Sequence, residues 1–139
     1  MRIGFESSRC IGCRACEMVC SAVHVAEINP ARSRIRIQVD AVEGRSEINV
    51  CRSCGKPLCV KACTYGACTR DEELGIVKID SSTCVACYAC VEACPFDADF
   101  VDPVDHTPLI CDGCGGDPAC VMYCPSGALT VAKSAPTRR

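Results

Sequence analysis

Apolar and polar positions alternate along "SRIRIQVD" (Ser33 to Asp40) and "GIVKID" (Gly75 to Asp80), the period of two that predicts half-buried β-strands. "SEINV", just before Cys51, continues the pattern, and the "EGR" turn ahead of it predicts an antiparallel pair with the first segment. "ALTVAK" after Cys124 predicts another strand, and "KSAPTRR" behind it reads as a frayed tail. The helices that fit between these strands are brief. No stretch approaches 18 consecutive apolar residues, so no membrane-spanning helix is expected.

Cysteine breaks this pattern at regular intervals. Run one, "CIGCRACEMVC", holds Cys10, Cys13, Cys16 and Cys20; run three, "CVACYACVEAC", repeats its spacing with Cys84, Cys87, Cys90 and Cys94. Run two holds Cys51, Cys54, Cys59 and Cys63, its middle gap widened to four residues; run four holds Cys111, Cys114, Cys120 and Cys124, with a middle gap of five. The last gap is three residues in every run, while the middle one varies through Gly- and Pro-bearing insertions. A C-x-x-C pair is a tight loop whose sulfurs converge on one centre, and the third cysteine closes around it. The step of three intervening residues is one helical turn, which predicts that the fourth thiol lies further along a short helix, directed at a different centre. The bacterial ferredoxin run C-x2-C-x2-C-x3-C-P sends its fourth cysteine to a second cluster in this way. Cys94 and Cys124 are followed by that proline, whereas Cys63 precedes Thr64 and Cys20 precedes Ser21.

Composition gives this cysteine a structural burden. Of 139 residues 17 are Cys, against three Phe, three Tyr and no Trp, so the ordinary aromatic core is thin. The length fits one compact body, within which internal duplication predicts two lobes: residues 1–32 with 103–132, and residues 47–102. Disulfides, zinc and iron-sulfur clusters compete for the thiols. The segment "MRIGFESSRC" shows neither a secretory apolar stretch nor a twin-arginine signal, so a reducing cytoplasm is expected and a disulfide framework is not. A structural zinc site normally takes two cysteine pairs separated by a long loop; three cysteines within seven residues suit a cubane better than one tetrahedral ion.

Sixteen thiols divide into four fully ligated 4Fe-4S clusters, leaving Cys68 over. No cluster keeps an open iron, and the chain has no phosphate-binding glycine loop and no carboxylate pair set for acid-base work. A non-catalytic electron conduit is the reading that follows. The formal charge of −2 and fifteen scattered Lys and Arg give no footprint for nucleic acid. The competing class is a zinc-stabilised interaction module.

These runs, with "CIGCRACEMVCSAVH" and "CDGC…CVMYCPSGA" as their marks, resemble the four-cluster ferredoxin-like subunits of molybdenum and tungsten oxidoreductases of anaerobic metabolism. That family includes the dimethyl sulfoxide reductase type of beta subunit and related subunits of formate dehydrogenases, hydrogenases and carbon monoxide dehydrogenase systems. The short length is similar to the ferredoxin subunit of tungsten aldehyde oxidoreductases. The resemblance implies an α+β fold, a duplicated bacterial ferredoxin with two pseudo-symmetric two-cluster lobes. It also implies nested ligation, which the spacing alone leaves open. Cys10, Cys13 and Cys16 would join Cys124, and Cys111, Cys114 and Cys120 would join Cys20; Cys51, Cys54 and Cys59 would join Cys94, and Cys84, Cys87 and Cys90 would join Cys63. The implied partners are a tungsten or molybdenum catalytic subunit and a second redox partner, such as a flavin subunit or soluble ferredoxin. A hydrogenase or carbon monoxide dehydrogenase system, or a free polyferredoxin, is the alternative.

Four other features carry expectations. Cys68 is expected in the core. His24, four residues after Cys20, is expected to hydrogen-bond a sulfur or a carbonyl rather than bind metal, and His106 to sit in a surface loop. Gly12, Gly55, Gly113 and Gly115 fall inside the cluster loops, where a positive φ is expected.

Overall fold

The computed structural model describes residues 1–132, so the "KSAPTRR" tail lies outside the described residues. In chain order the elements are β1 (Arg2–Phe5), α1 (Ala15–Val25), β2 (Ile35–Asp40), β3 (Arg45–Val50), α2 (Leu58–Ala62), β4 (Cys68–Asp71), β5 (Ile76–Ile79), α3 (Ala89–Ala93), β6 (Phe100–Val101), β7 (Pro108–Leu109), α4 (Ala119–Met122) and β8 (Leu129–Ala132). The fold is α+β, made of short strands and short helices.

Each strand has one partner, and all four pairs are antiparallel: β1 with β8, β2 with β3, β4 with β5, and β6 with β7. The alternation in "SRIRIQVD" puts Ile35 and Ile37 inside, and "SEINV" pairs with it as expected, Ile37 opposite Ile48. β4 and β5 form the hairpin between runs two and three. β1 carries no marked alternation; its pairing comes from β8 across the whole described chain.

α1 packs against α4, and α2 against α3, which brings run one beside run four and run two beside run three. Two apolar cores result. Ile3, Cys16, Cys20, Ile35, Ile37, Val50, Cys120 and Leu129 form one, and Cys51, Cys59, Cys68, Val77, Cys90 and Ile110 form the other, with Cys111 packed against both. Cysteine therefore fills the interior that the scarce aromatics leave open.

The helical turn after the third cysteine is present in all four runs, but only α1 extends through its fourth cysteine. α2, α3 and α4 stop short of Cys63, Cys94 and Cys124, and Cys63 and Cys94 have extended backbone. Proline after Cys94 and Cys124 disfavours helical backbone at the residue before it, so these sulfurs leave the helix instead of lying along it. α1, at 11 residues, is longer than the brief helices expected.

Charged groups also bind segments together. Glu17, 2% exposed, accepts a 2.7 Å hydrogen bond from the Ile37 N–H and fixes α1 to β2. Arg32 donates from Nε to both oxygens of Asp102, at 3.1 and 3.0 Å, and from its other nitrogens to Asp105 and Glu27. The segment after α1 is thereby fastened to the β6–β7 turn. Among the described residues, no helix is long and apolar enough to cross a membrane.

Candidate metal centres

All four runs share one local geometry. The residue before the second cysteine has left-handed backbone in each: Gly12 (φ 69°), Ser53 (φ 49°), Ala86 (φ 56°) and Gly113 (φ 60°). That turn points the residue's N–H back at the first sulfur. Gly12 N–H reaches Cys10 Sγ at 3.4 Å, Ser53 N–H reaches Cys51 Sγ at 3.5 Å, and Ala86 N–H reaches Cys84 Sγ at 3.4 Å. Gly113 N–H does the same for Cys111. Gly55, expected to be left-handed, is not; Ser53 takes that role in run two. Sequence reasoning missed Ser53 and Ala86, because it looked for glycine where the loop forces positive φ on whatever residue precedes the second cysteine.

The third cysteine of each run enters the first turn of its helix and is buried: Cys16, Cys59, Cys90 and Cys120 are 7–8% exposed. The second cysteines of runs one and three, Cys13 and Cys87, are the exposed ones, while Cys54 and Cys114 are half-buried.

Three cavities among the described residues are each lined by cysteines from two runs. Cys10, Cys13 and Cys16 share one with Cys124. Cys84, Cys87 and Cys90 share another with Cys63, and Cys68 also lines its wall. Cys111, Cys114 and Cys120 share the third with Cys20. Around the remaining four, burial raises the pKa of Cys54, and the neighbouring Cys59 and Cys94 raise it further by like-charge repulsion; Cys59 also acts on Cys51.

The chemistry of these sulfurs fits a metal-sulfur group. Burial pushes the Cys16, Cys90 and Cys111 thiols up to about 11, and Cys51 and Cys120 higher still. Without a metal they would stay protonated at neutral pH, with several thiols crowded around apolar space; coordination to iron removes the protons and gives the charge a partner. Backbone N–H groups already aimed at the sulfurs supply the outer hydrogen bonds that a thiolate-ligated cluster uses.

Cys68 is 3% exposed in the second core, as expected. Its N–H lies 3.4 Å from Cys63 Sγ, and its thiol shares a hydrogen bond with Cys59 that lowers the Cys59 pKa and raises its own. His24 behaves as its position in α1 predicts: Nδ1 lies 2.8 Å from the Cys20 carbonyl oxygen, while Nε2 is 3.2 Å from Asp112 Oδ1. Asp112 is the main reason that the His24 pKa rises to about 12. Burial pushes the Asp112 carboxyl up, but the His24 hydrogen bond and the Arg34 charge outweigh it and hold the group at about 2. His24, Asp112 and Cys114 bring ligand atoms within 4.8 Å of one another, yet His24 already has both nitrogens engaged and Cys114 lines the run-four cavity. They belong to that centre's surroundings. His106 is exposed at a turn, as expected.

Residues 45–134 match the 4Fe-4S dicluster domain family, and residues 7–23 match a 4Fe-4S binding domain. The chain is 36% identical to the thiosulfate reductase electron transfer subunit PhsB of Salmonella typhi, a similarity spanning 89% of this chain and 71% of that one. It is 39% identical to the polyferredoxin-like subunit of an aliphatic sulfonate oxidoreductase from Pyrococcus furiosus, over 84% of this chain and 66% of the relative. A further relative, the beta subunit of an NADH-dependent phenylglyoxylate dehydrogenase from Aromatoleum evansii, is 36% identical, and the chain spans only 29% of its length. Among solved structures, the as-isolated active site complex BamBC of benzoyl coenzyme A reductase contains a similar chain, with a TM-score of 0.55 and 30% identity over 99% of this chain and 81% of that one.

Proposed function

This chain belongs to the 4Fe-4S dicluster domain family, and we propose that it is the electron-transfer subunit of a larger oxidoreductase, carrying four 4Fe-4S clusters. In this reading Cys10, Cys13, Cys16 and Cys124 hold the first cluster, and Cys20, Cys111, Cys114 and Cys120 the second. Cys51, Cys54, Cys59 and Cys94 hold the third, and Cys63, Cys84, Cys87 and Cys90 the fourth. The observation that carries it is the meeting, at each of three cavities, of three cysteines from one run and the terminal one from another, with Cys68 as a fifth at one of them.

Once bound, such clusters supply one-electron carriers and no substrate chemistry, since every iron corner has a protein sulfur. The chain's own contribution is position and environment. Sulfurs of successive quartets lie within electrostatic reach: Cys16 acts on Cys120, Cys111 on Cys51, and Cys59 on Cys90. That order, first to fourth, supports a continuous path across the protein. The two apolar cores, one beneath runs one and four and the other beneath runs two and three, support the two-lobe duplication, residues 1–32 with 103–132 against 47–102.

The partner in this proposal is the catalytic subunit of a tungsten or molybdenum oxidoreductase, with a flavin subunit or soluble ferredoxin at the opposite end, in the cytoplasm. The relatives favour an oxidoreductase complex over a free polyferredoxin, since two of them are subunits of reductase or oxidoreductase systems. Anaerobic purification from the native host tests both parts. A brown protein with about sixteen iron and sixteen sulfide per chain, co-purifying stoichiometrically with a large metalloenzyme, is the expected result. A colourless, redox-silent protein would reject the clusters, and a brown protein that always purifies alone would reject the subunit reading.

A further inference from the structure

Five residues after the fourth cysteine of runs two, three and four stand Cys68, Asp99 and Leu129, in "CTYGAC", "CPFDAD" and "CPSGAL". The preceding alanines, Ala67, Ala98 and Ala128, are almost wholly buried, and the three residues themselves are 3%, 5% and 4% exposed. The repeat thus gives one interior position three times. It holds a thiol, a carboxyl and a leucine. Only the carboxyl is out of place there, because neither of its oxygens has a hydrogen-bond partner. Two arginines are engaged elsewhere: Arg52 stacks on the Phe96 ring at 4.2 Å, and Arg32 is committed to Asp102.

An unpartnered buried carboxylate is costly, and an aliphatic side chain at this position would serve packing better, as Leu129 shows in its own repeat. Asp99 stands five residues after Cys94, and at the equivalent position of run two the N–H of Cys68 lies 3.4 Å from Cys63 Sγ, so the repeat sets this residue beside the terminal sulfur of its run. In keeping with that place, its charge is among the causes that raise the pKa of Cys51, Cys54 and Cys90 and opposes the lowering at Cys59. Runs one and four have carboxylates of their own, Glu17 beside Cys16 and Asp112 beside Cys111, but each is paired with a cation, Glu17 with Arg14 and Asp112 with His24 and Arg34, so Asp99 differs from them in standing unpaired.

We propose that Asp99 is a tuning residue that makes the clusters of runs two and three harder to reduce than those of runs one and four. The inference rests on the four-cluster reading above. The physical ground is direct: an added electron is a further negative charge, and a fixed negative charge in a poorly screened interior opposes it. Electrons then rest preferentially in the lobe of runs one and four, and the polarity is built into the protein rather than supplied by its partners.

The test is a redox titration of the loaded, full-length protein at pH 8, followed by electron paramagnetic resonance, for wild type, Asp99→Asn and Asp99→Leu. Burial pushes the Asp99 carboxyl up to about 6, so the group is ionised under these conditions. One unit charge acting over about 10 Å at an effective dielectric near 20 changes an equilibrium on the order of tenfold. At a potential fixed on the lowest wild-type midpoint, the reduced-to-oxidised ratio should therefore rise about tenfold in both variants, equivalent to about 59 mV for one electron. The two highest midpoints should stay in place. Midpoints that all remain unchanged, or all four moving together, would overturn the proposal. Iron content and signal count of the wild type are read in the same samples, so a protein lacking four clusters refutes the functional reading instead. The leucine variant keeps the test open if asparagine disturbs folding, since the equivalent position already accommodates leucine.

Discussion

Replacing Gly113 and Gly115 by alanine, one at a time, separates backbone strain from packing around the run-four centre. Both residues have left-handed backbone, with φ of +60° and +73°. Alanine in that conformation costs roughly 1–2 kcal/mol, part of which is returned because the unfolded alanine chain has less freedom to lose. At Gly115 nothing lies within 4 Å of an added Cβ, so the net cost should stay under about 1 kcal/mol. At Gly113 the new carbon would stand 2.5 Å from Met1 Cε and 3.3 Å from Ile76 Cγ2. The methionine end can swing away; Ile76, with 0% exposure, has to give ground inside a packed core. Overpacking of that kind adds about 1–2 kcal/mol, giving a total near 2 kcal/mol. Because Gly113 donates the N–H that Cys111 accepts, the strain falls on the centre of Cys20, Cys111, Cys114 and Cys120. Anaerobic heating followed by visible absorption and iron release should show one cluster's share of the iron leaving about ten- to thirtyfold faster in Gly113→Ala, against less than about fivefold in Gly115→Ala. Equal bleaching rates for the two variants would refute the reasoning, since of the two only Gly113 brings an added Cβ against Ile76 and Met1 and donates its N–H to Cys111.

The nested ligand sets predict that Cys124→Ala and Cys13→Ala erase the same paramagnetic signal, and that Cys63→Ala and Cys87→Ala erase another in common; a different partnering appears as four unrelated losses. Cys68→Ala should retain iron and sulfide at wild-type levels, because its thiol is supernumerary to the sixteen; loss of a quarter of the iron would make it a ligand. For Asp99, the folded pKa of about 6 lies above the unfolded value near 3.9, so the folded state favours the protonated form. The wild type is therefore unpenalised below about pH 4 and progressively destabilised as pH rises through 6, by about 3 kcal/mol at the plateau. Asp99→Asn should outlast wild type in thermal bleaching at pH 8, with an advantage about a third as large in free energy at pH 4.5, and identical pH profiles would contradict the assignment.

Much of the site could be read from the chain because cysteine spacing is local chemistry. The C-x-x-C pairs became tight loops, and the residues after each third cysteine became a helical turn, as the sequence required. What stayed hidden depended on distant neighbours or on backbone forced by the loop. β1 has no amphipathic signature, and only β8, 124 residues on at the Phe5–Leu129 pair, gives it a partner. Ser53 and Ala86 adopt left-handed backbone that their side chains do not advertise. Proline after Cys94 was visible, but its effect in ending α3 before the cysteine follows from a backbone clash and not from side-chain periodicity. Asp99 reads as an ordinary polar residue in a loop until its burial and lack of partners are known.

The two exposed sulfurs, Cys13 and Cys87, lie at different cavities, at the first and fourth positions of the proposed order, while the third cysteine of every run is sealed in a core. Oxygen and chelators meet the protein at these two rims before anything deeper. Damage in an ageing sample consequently begins at both extremities, and a partially degraded preparation loses its outside contacts while the inner pair of sites remains intact.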